Sequence, residues 1–470
     1  MSFRKSTMNI FCATDVVLTD SHNNVETHSS YNSTIDPTMS KTKEKIFTRY
    51  QVFIIAIIAI LQFTVILDFM VISPLGVILM KTLAISPSKF SVVVSAYAFS
   101  AGASGLLAAG FADKFDRKKL LLFFYIGFLL GTFLCAIAPD FNFLLVARII
   151  TGLFGGVIGS VGLAIVTDIF TMEVRGRVMG FTQMAFAASQ VLGIPIGLLL
   201  ANSYGWHSCF WMIGGFGTVV GVVMFMYMKP INEHLKFRID RNPFHHLIKT
   251  ISKSSYLFAF VTMSFLASGG FMLMPFGSAF GTHNLGLTLE QLPMLYLITG
   301  LCSILLGPLA GKLSDKIGKY KTFIIGSVIA IIVVVIYTNL GTTPFWVASL
   351  VSVLLFAGVT ARMVSASALM TAIPAPEDRG AFMSVNSAIM QLSGGAASVI
   401  AGLIVSQSAT GMIEHYDTLG YVVVGTMLVM TGMLYFINKS ITDRKPAPVV
   451  ITSQTVDKDI TMTEIAGETA

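Results

Sequence analysis

A chain of 470 residues with 54% hydrophobic and 12% charged residues, and a mean hydropathy of +0.77, cannot wet a globule of its own size. Soluble domains carry about 25% charged residues, so lipid must cover much of this surface. The formal charge of +7 is not a nucleic-acid footprint, because the basic residues sit mostly in loops between apolar segments, where a topology signal belongs.

Residues 1–46 are rich in Ser, Thr and Asn without an apolar period and read as a disordered tail, with no secretory signal peptide. Asn32-Ser33-Thr34 fits a glycosylation acceptor, a reading discounted on a cytoplasmic tail. Twelve stretches then meet the roughly 20 apolar residues a membrane helix needs. Six fall in a first half, 47–228, at about 48–79, 89–112, 118–138, 142–166, 177–201 and 206–228. Six fall in a second half, 255–438, at about 255–281, 290–313, 320–340, 344–373, 379–408 and 418–438. The fold class is therefore an all-α membrane protein. Residues 439–470 form a second polar tail.

Lys and Arg orient the spans. With the N-terminus in the cytoplasm, seventeen basic residues lie in inner loops, among them Lys114, Arg117, Lys118, Lys119, Arg175 and Arg379, against Lys81 and Lys89 outside. This bias supports an even helix count, cytoplasmic termini and a cell-membrane location. The connection 229–254 joins the halves on the inner side. Phe237, Phe244, Leu247, Ile248 and Ile251 place an apolar face there, which reads either as an interfacial helix or as a charged linker. Cys12, Cys135, Cys209 and Cys302 show no paired spacing, so neither a disulfide framework nor a metal site is expected.

The halves repeat their punctuation. Ser73-Pro74-Leu75-Gly76 returns as Met274-Pro275-Phe276-Gly277, Asp113-Lys114-Phe115 as Asp315-Lys316-Ile317, and Arg175-Gly176 as Arg379-Gly380, at offsets of 201, 202 and 204. A duplicated helical membrane protein suggests two bundles around a central path. Pro74 and Pro275 can each bend their helix and free backbone carbonyls near the outer half of such a path; inherited packing geometry is the alternative.

After spans 2 and 8 the loops read Ala109-Gly110-Phe111-Ala112-Asp113-Lys114-Phe115-Asp116-Arg117-Lys118-Lys119 and Gly311-Lys312-Leu313-Ser314-Asp315-Lys316-Ile317-Gly318-Lys319. Both resemble the G-x-L-a-D-R-x-G-R-R/K signature of the major facilitator superfamily. The first copy departs from it, with Ala109 and Asp116 where glycines are usual. The resemblance covers about residues 48–438. It implies the two-bundle fold, gating roles for Asp113 and Arg117 with Asp168 as partner, and the equivalent role for Asp315 and Lys319. Interfacial anchoring is the bland alternative.

Arg148-Ile149-Ile150-Thr151-Gly152 resembles the family's R-x-x-x-G motif on helix 4, often linked to proton coupling; an arginine snorkelling to the interface is the alternative. Gly193, Pro195 and Gly197 on span 5 resemble the family's antiporter motif, although Ile194 separates the first Gly from the Pro. Close packing and a kink suffice to explain them otherwise.

Two charges lie deeper, Asp68 in span 1 and Arg362 in span 10. A charge at the membrane centre costs about 2.5–3.5 kcal/mol even on the lenient insertion scale, so each is expected to face a wet cavity or a partner. By resemblance, spans 1, 4, 7 and 10 line the central cavity. Asp68 then binds a proton or substrate, and Arg362 holds an anionic group or tunes the aspartate. One structural ion pair between them is the alternative. Phe63, Phe69, Met70, Phe271, Met272, Met274 and Gln391 are candidate soft contacts for varied apolar ligands.

The expected function is proton-coupled efflux of small molecules by a monomer alternating its access, with no cofactor; the span 1 and span 5 motifs look most like the twelve-helix drug:proton antiporter branch and its sugar-efflux relatives. Import of an organic metabolite is the second reading. An enzyme is not expected, since the histidines lie mostly in loops and no Ser-His-Asp, metal-spaced or phosphate-loop constellation appears. No filter-like segment suggests a channel.

Overall fold

The structure, a computed structural model, describes residues 47–108, 111–233, 235, 250–375 and 378–443, without the side chains of residues 113, 172, 173, 176 and 183. Both tails, Cys12, the Asn32 acceptor and the face formed by Phe237, Phe244, Leu247 and Ile248 lie outside the described residues. Among the described residues, twelve helices are long and apolar enough to cross a membrane.

Six of them form the first half: α1 Arg49–Val71, α2 Pro87–Ala108, α3 Arg117–Ala136, α4 Phe141–Ile169, α5 Met172–Ala188 continued by Ile194–Tyr204, and α6 His207–Tyr227. The second half holds α7 Ser254–Leu273, α8 Gln291–Ile317, α9 Lys319–Thr338, α10 Phe345–Met370, α11 Arg379–Ile404 and α12 Tyr416–Thr442. Polar caps set several starts. Thr48 and Gln51 close a reciprocal capping box on α1, and Asp116 and Asp140 accept from the third backbone N–H of α3 and α4.

The halves pack alike. α1 lies on α5 and α6 as α7 lies on α11 and α12; α2 lies on α4 as α8 lies on α10; α3 lies on α4 and α6 as α9 lies on α10 and α12. Across the halves α2 meets α11 and α5 meets α8. The result is two pseudo-symmetric six-helix bundles.

Three features depart from the sequence expectation. The first span is not one helix over 48–79: α1 stops at Val71 and a short helix, Gly76–Thr82, follows a turn at Pro74. The equivalent break after α7 is a 3₁₀ turn, Met274–Phe276, followed by Gly277–His283. Each proline removes the amide that would continue the helix. The expected helix 379–408 ends at Ile404, and Ser406–Gln407 (β1) pairs antiparallel with Ile413–Glu414 (β2). This hairpin is anchored by Asn284, whose side chain accepts from Ile413 N and donates to Ile413 O. Finally, α5 contains a π turn, Ser189–Gly193, just before Pro195.

The two proline turns close one end of the bundle. The Ser278 hydroxyl donates to Ser73 O at 3.0 Å, and a Cβ on Gly76 would stand 3.2 Å from Pro275 O. Phe90 and Phe276 stack edge-on beside them. At the opposite end the ion pairs Arg117–Asp168 and Lys253–Asp378 each stay within one half.

Candidate functional site

Asp68 lies one turn before the end of α1, wholly buried. Its Oδ2 accepts from Arg148 Nη1 of α4 at 2.7 Å, and both side chains are 0% exposed. The same nitrogen donates to Asp68 O at 3.2 Å, and Thr132 of α3 donates to Asp68 Oδ1 at 3.2 Å. Tyr97 of α2 covers the pair, with the Arg148 guanidinium 4.6 Å from its ring centre. Four helices therefore meet at one buried ion pair.

The R-x-x-x-G spacing explains how Arg148 gets there. Gly152 sits one turn along α4. A Cβ on it would stand 2.5 Å from Tyr97 O, so α4 reaches the backbone of α2 at this level and Arg148 slides beneath the Tyr97 ring. Gly131 does the same between α3 and Thr151 of α4. The snorkelling alternative for Arg148 fails, because the side chain points into the bundle rather than to an interface.

The pair is held by one guanidinium nitrogen. Arg148 Nε and Nη2 have no hydrogen-bond partner among the described residues. A bidentate fork would be stronger and more rigid. Removing one partner of such a buried pair costs about 3–5 kcal/mol, whereas the pair itself adds little net stability. The site is therefore sensitive to the charge state of Asp68.

Its surroundings connect it to the other half. The Tyr97 ring lies 5.1 Å from Phe69, next to Asp68 in sequence, and Phe69 lies 5.8 Å from Phe271 of α7. Phe271 fills the space over Gly394 of α11, where a Cβ would approach within 2.8 Å. Of the other expected soft contacts, Met70 and Met272 are buried in the core, while Phe63, Met274 and Gln391 are partly exposed.

Arg362 is not part of this site, which corrects the expectation that it shares a space or a pair with Asp68. It is 3% exposed on α10, 5.4 Å over the Phe323 ring of α9, with Nη2 3.4 Å from Met430 Sδ of α12. Its neighbours belong to the core of the second half. Nor does Asp68 face an open space: its α1 neighbours Ala59, Gln62, Ile66 and Phe69 are partly exposed, while Asp68 looks back toward α3 and α4.

At the inner loops, Arg117 Nε pairs with Asp168 Oδ2 at 3.0 Å, and its Nη1 donates to Ala112 O. Both members of this pair belong to the first half. The Asp113 side chain lies outside the described residues. Asp315 is exposed and Lys319 half-buried, and among the described residues neither makes an ion pair. The two loop copies begin the next helix differently. Gly318 turns at φ 101°, a left-handed backbone that glycine allows at least cost, whereas Asp116 stands at φ −56° and caps α3. The missing glycine of the first copy is thus a helix cap.

Sequence reasoning missed Asp378. It accepts from Lys253 and, at 2.9 Å, from the Tyr256 hydroxyl, which also accepts from Ala375 N at 3.1 Å. This cluster ties the start of α7 to the start of α11. Asp378 precedes the repeated Arg379-Gly380, and that adjacency was the available signal.

On α5, a Cβ on Gly193 would stand 2.5 Å from Leu67 and one on Gly197 would stand 2.7 Å from Cys209. Both glycines therefore seat α5 on its own half, Gly193 against the residue before Asp68. The π turn arises because Pro195 has no amide to offer. The Ser189 hydroxyl there donates to Phe63 O, and Gln190 O lies against Gly300 of α8 in the other half.

Twelve spans in two matching bundles, with charges sealed inside the bundles, define a duplicated multi-pass membrane protein. The sequence profile of the Major Facilitator Superfamily matches residues 58–361 and 276–456, and the chain belongs to that family. It is 28% identical over 261 residues to the uncharacterized MFS-type transporter YceJ of Bacillus subtilis (strain 168), covering 55% of this chain and 66% of that protein. It is 33% identical over 152 residues to multidrug resistance protein 3 of the same organism, covering 32% of this chain and 30% of that one. A solved structure of a bacterial homolog to the human lysosomal transporter Spinster, in an inward-facing and occupied conformation, shares the fold at a TM-score of 0.68. Its sequence identity is 15%, over 86% of this chain and 100% of that one.

Proposed function

We propose that this protein exports small molecules in exchange for protons by alternating access, with Asp68 as the proton carrier and Arg148 as its charge partner. The observation that carries this reading is the buried, singly bonded Asp68–Arg148 pair beneath an aromatic chain that reaches the other half. A proton arriving on Asp68 converts the carboxylate to a neutral acid and leaves the Arg148 cation without its counter-charge. A buried cation without a counter-charge is costly, so the bundle gains by rearranging. The route runs through Tyr97 and Phe69 to Phe271.

Access follows the same logic. The carboxylate is sealed here, so proton exchange requires the aromatic cover to shift. The Lys and Arg bias assigns the closed proline-turn end to the outside and the Arg117 and Lys253 end to the cytoplasm. This conformation is then closed outward. One proton crossing about 100 mV supplies roughly 2.3 kcal/mol, enough for an on-the-order-of-fiftyfold gradient. The sequence likeness to a protein named for multidrug resistance supports export.

The test uses reconstituted vesicles loaded with a candidate substrate and given an imposed proton gradient. Substrate should leave as protons enter. Asp68→Asn should abolish this driven flux while substrate counterflow, which needs no net proton movement, persists. Driven flux at the wild-type level in that variant would refute the assignment, and co-directional movement would turn exporter into importer.

A further inference from the structure

The seam between α7 and α11 holds a cavity of about 190 Å³. It is lined by Ser264, Phe265 and Ser268 of α7 and by Ser393, Ala397 and Ile400 of α11. Ser264 and Ser393 lie near the middle of their helices, so the cavity sits near mid-membrane.

Its mouth faces outward. Gly395, Ser398 and Gly402 press α11 against α2 of the other half. A Cβ on Gly402 would stand 2.5 Å from Ser91 Cβ, and the Ser398 hydroxyl donates to Ser91 O at 3.4 Å. With about 3.6 residues per turn, Ser393, Ala396 and Ile400 fall on the opposite side of α11. On α7 the stripe Leu257, Val261, Ser264 and Ser268 follows the helical repeat, and its first two members are exposed, as are Ile400 and Leu403 on α11. The cavity therefore opens to lipid rather than to the path between the halves.

Three hydroxyls on an apolar wall define its chemistry. Ser264 donates to Phe260 O at 3.0 Å and Ser268 donates to Ser264 O at 2.8 Å. Both protons are committed to their own helix, and each oxygen keeps a lone pair free to accept. Ser393 makes no hydrogen bond among the described residues. Phe265 and Ile400 supply apolar contact. None of the lining residues is charged, and the charges deep in the spans, Asp68, Arg148 and Arg362, are buried elsewhere. An ion lodged here would have no counter-charge, which the surrounding lipid makes costly.

We propose that this groove is a lateral binding site for an uncharged, lipid-soluble compound. Its hydroxyl or N–H group donates to the α7 serines while its apolar body lies against Phe265 and Ile400. A dry cavity of roughly 150 Å³ takes benzene, so this one fits a single substituted ring. The site is separate from the Asp68–Arg148 pair, and binding here needs no proton gradient, so it stands or falls apart from the export assay.

Thymol is the probe, a substituted phenol uncharged at neutral pH; p-cymene is the same molecule without the hydroxyl. The full-length protein in lipid nanodiscs is photolabelled with an aryl-diazirine phenol, and the adducts are mapped by mass spectrometry. Labelling of residues 264–268 and 393–400 should saturate and be displaced by thymol. Displacement by p-cymene or by the cation benzyltrimethylammonium should be much weaker. Ser264→Ala/Ser268→Ala should weaken displacement by thymol roughly three- to tenfold, the loss of one neutral hydrogen bond. Ala396→Trp should fill the mouth and abolish labelling there, while its melting temperature and the labelling of other lipid-facing spans report that it has folded. If it does not fold, the serine variant carries the test. Labelling that never saturates and merely follows lipid exposure, displacement by p-cymene or the cation equal to that by thymol, or a serine variant that binds thymol like wild type would overturn the proposal.

Discussion

Asp68 and Arg148 should behave as one energetic unit, and a double-mutant cycle measures that. Asp68→Ala leaves the Arg148 guanidinium 0% exposed with its one ionic bond gone, and Arg148→Ala strands the carboxylate with Thr132 as its remaining side-chain donor. Each single change should cost about 3–5 kcal/mol, the range for breaking a buried pair by removing one member. The double variant loses both charges together, so its penalty is the lost packing and not an orphan ion. The two single costs would sum to about 6–10 kcal/mol if independent. Coupling should return several kcal/mol of that, leaving the double variant no less stable than either single one. Detergent melting temperatures of wild type, two singles and the double provide the readout, and Asp68→Asn calibrates it. Its amide keeps an acceptor for Arg148 Nη1 and should cost less than alanine, since a hydrogen bond to a charged group contributes about 1.5–3 kcal/mol. Strictly additive losses would show that the pair carries no mutual energy and would remove the basis for a charge-controlled switch.

Two further outcomes follow from close approaches. Gly152→Val should lower folding yield and melting temperature, because a Cβ at 152 already stands 2.5 Å from Tyr97 O and overpacking costs about 1–3 kcal/mol or more; normal melting would mean α2 and α4 can separate freely. In a background lacking Cys12, Cys135, Cys209 and Cys302, Ser73→Cys/Ser278→Cys should cross-link and stop transport until reduced, given the 3.0 Å bond between these residues. Full transport by the cross-linked protein would show that the proline turns do not part during the cycle.

The sequence by itself determined the twelve spans, their duplication, and the special residues Pro74, Pro275, Arg148 and Gly152. It could do so because leaving water is a local decision: each run of about 20 apolar residues must satisfy its own backbone as a helix in lipid. Proline and glycine act locally too, by a missing amide or a missing Cβ. The tertiary structure decided which charge meets which. α1 carries apolar residues almost all round, so no polar stripe in its sequence reveals the face on which Asp68 lies. Its partner proved to be Arg148, set in place by the glycine contacts of α4 with α2 and α3, and Arg362 was turned into a separate core by α9 and α12. The rotation of a helix about its own axis depends on the neighbours it packs against, and those are fixed only when the bundle assembles.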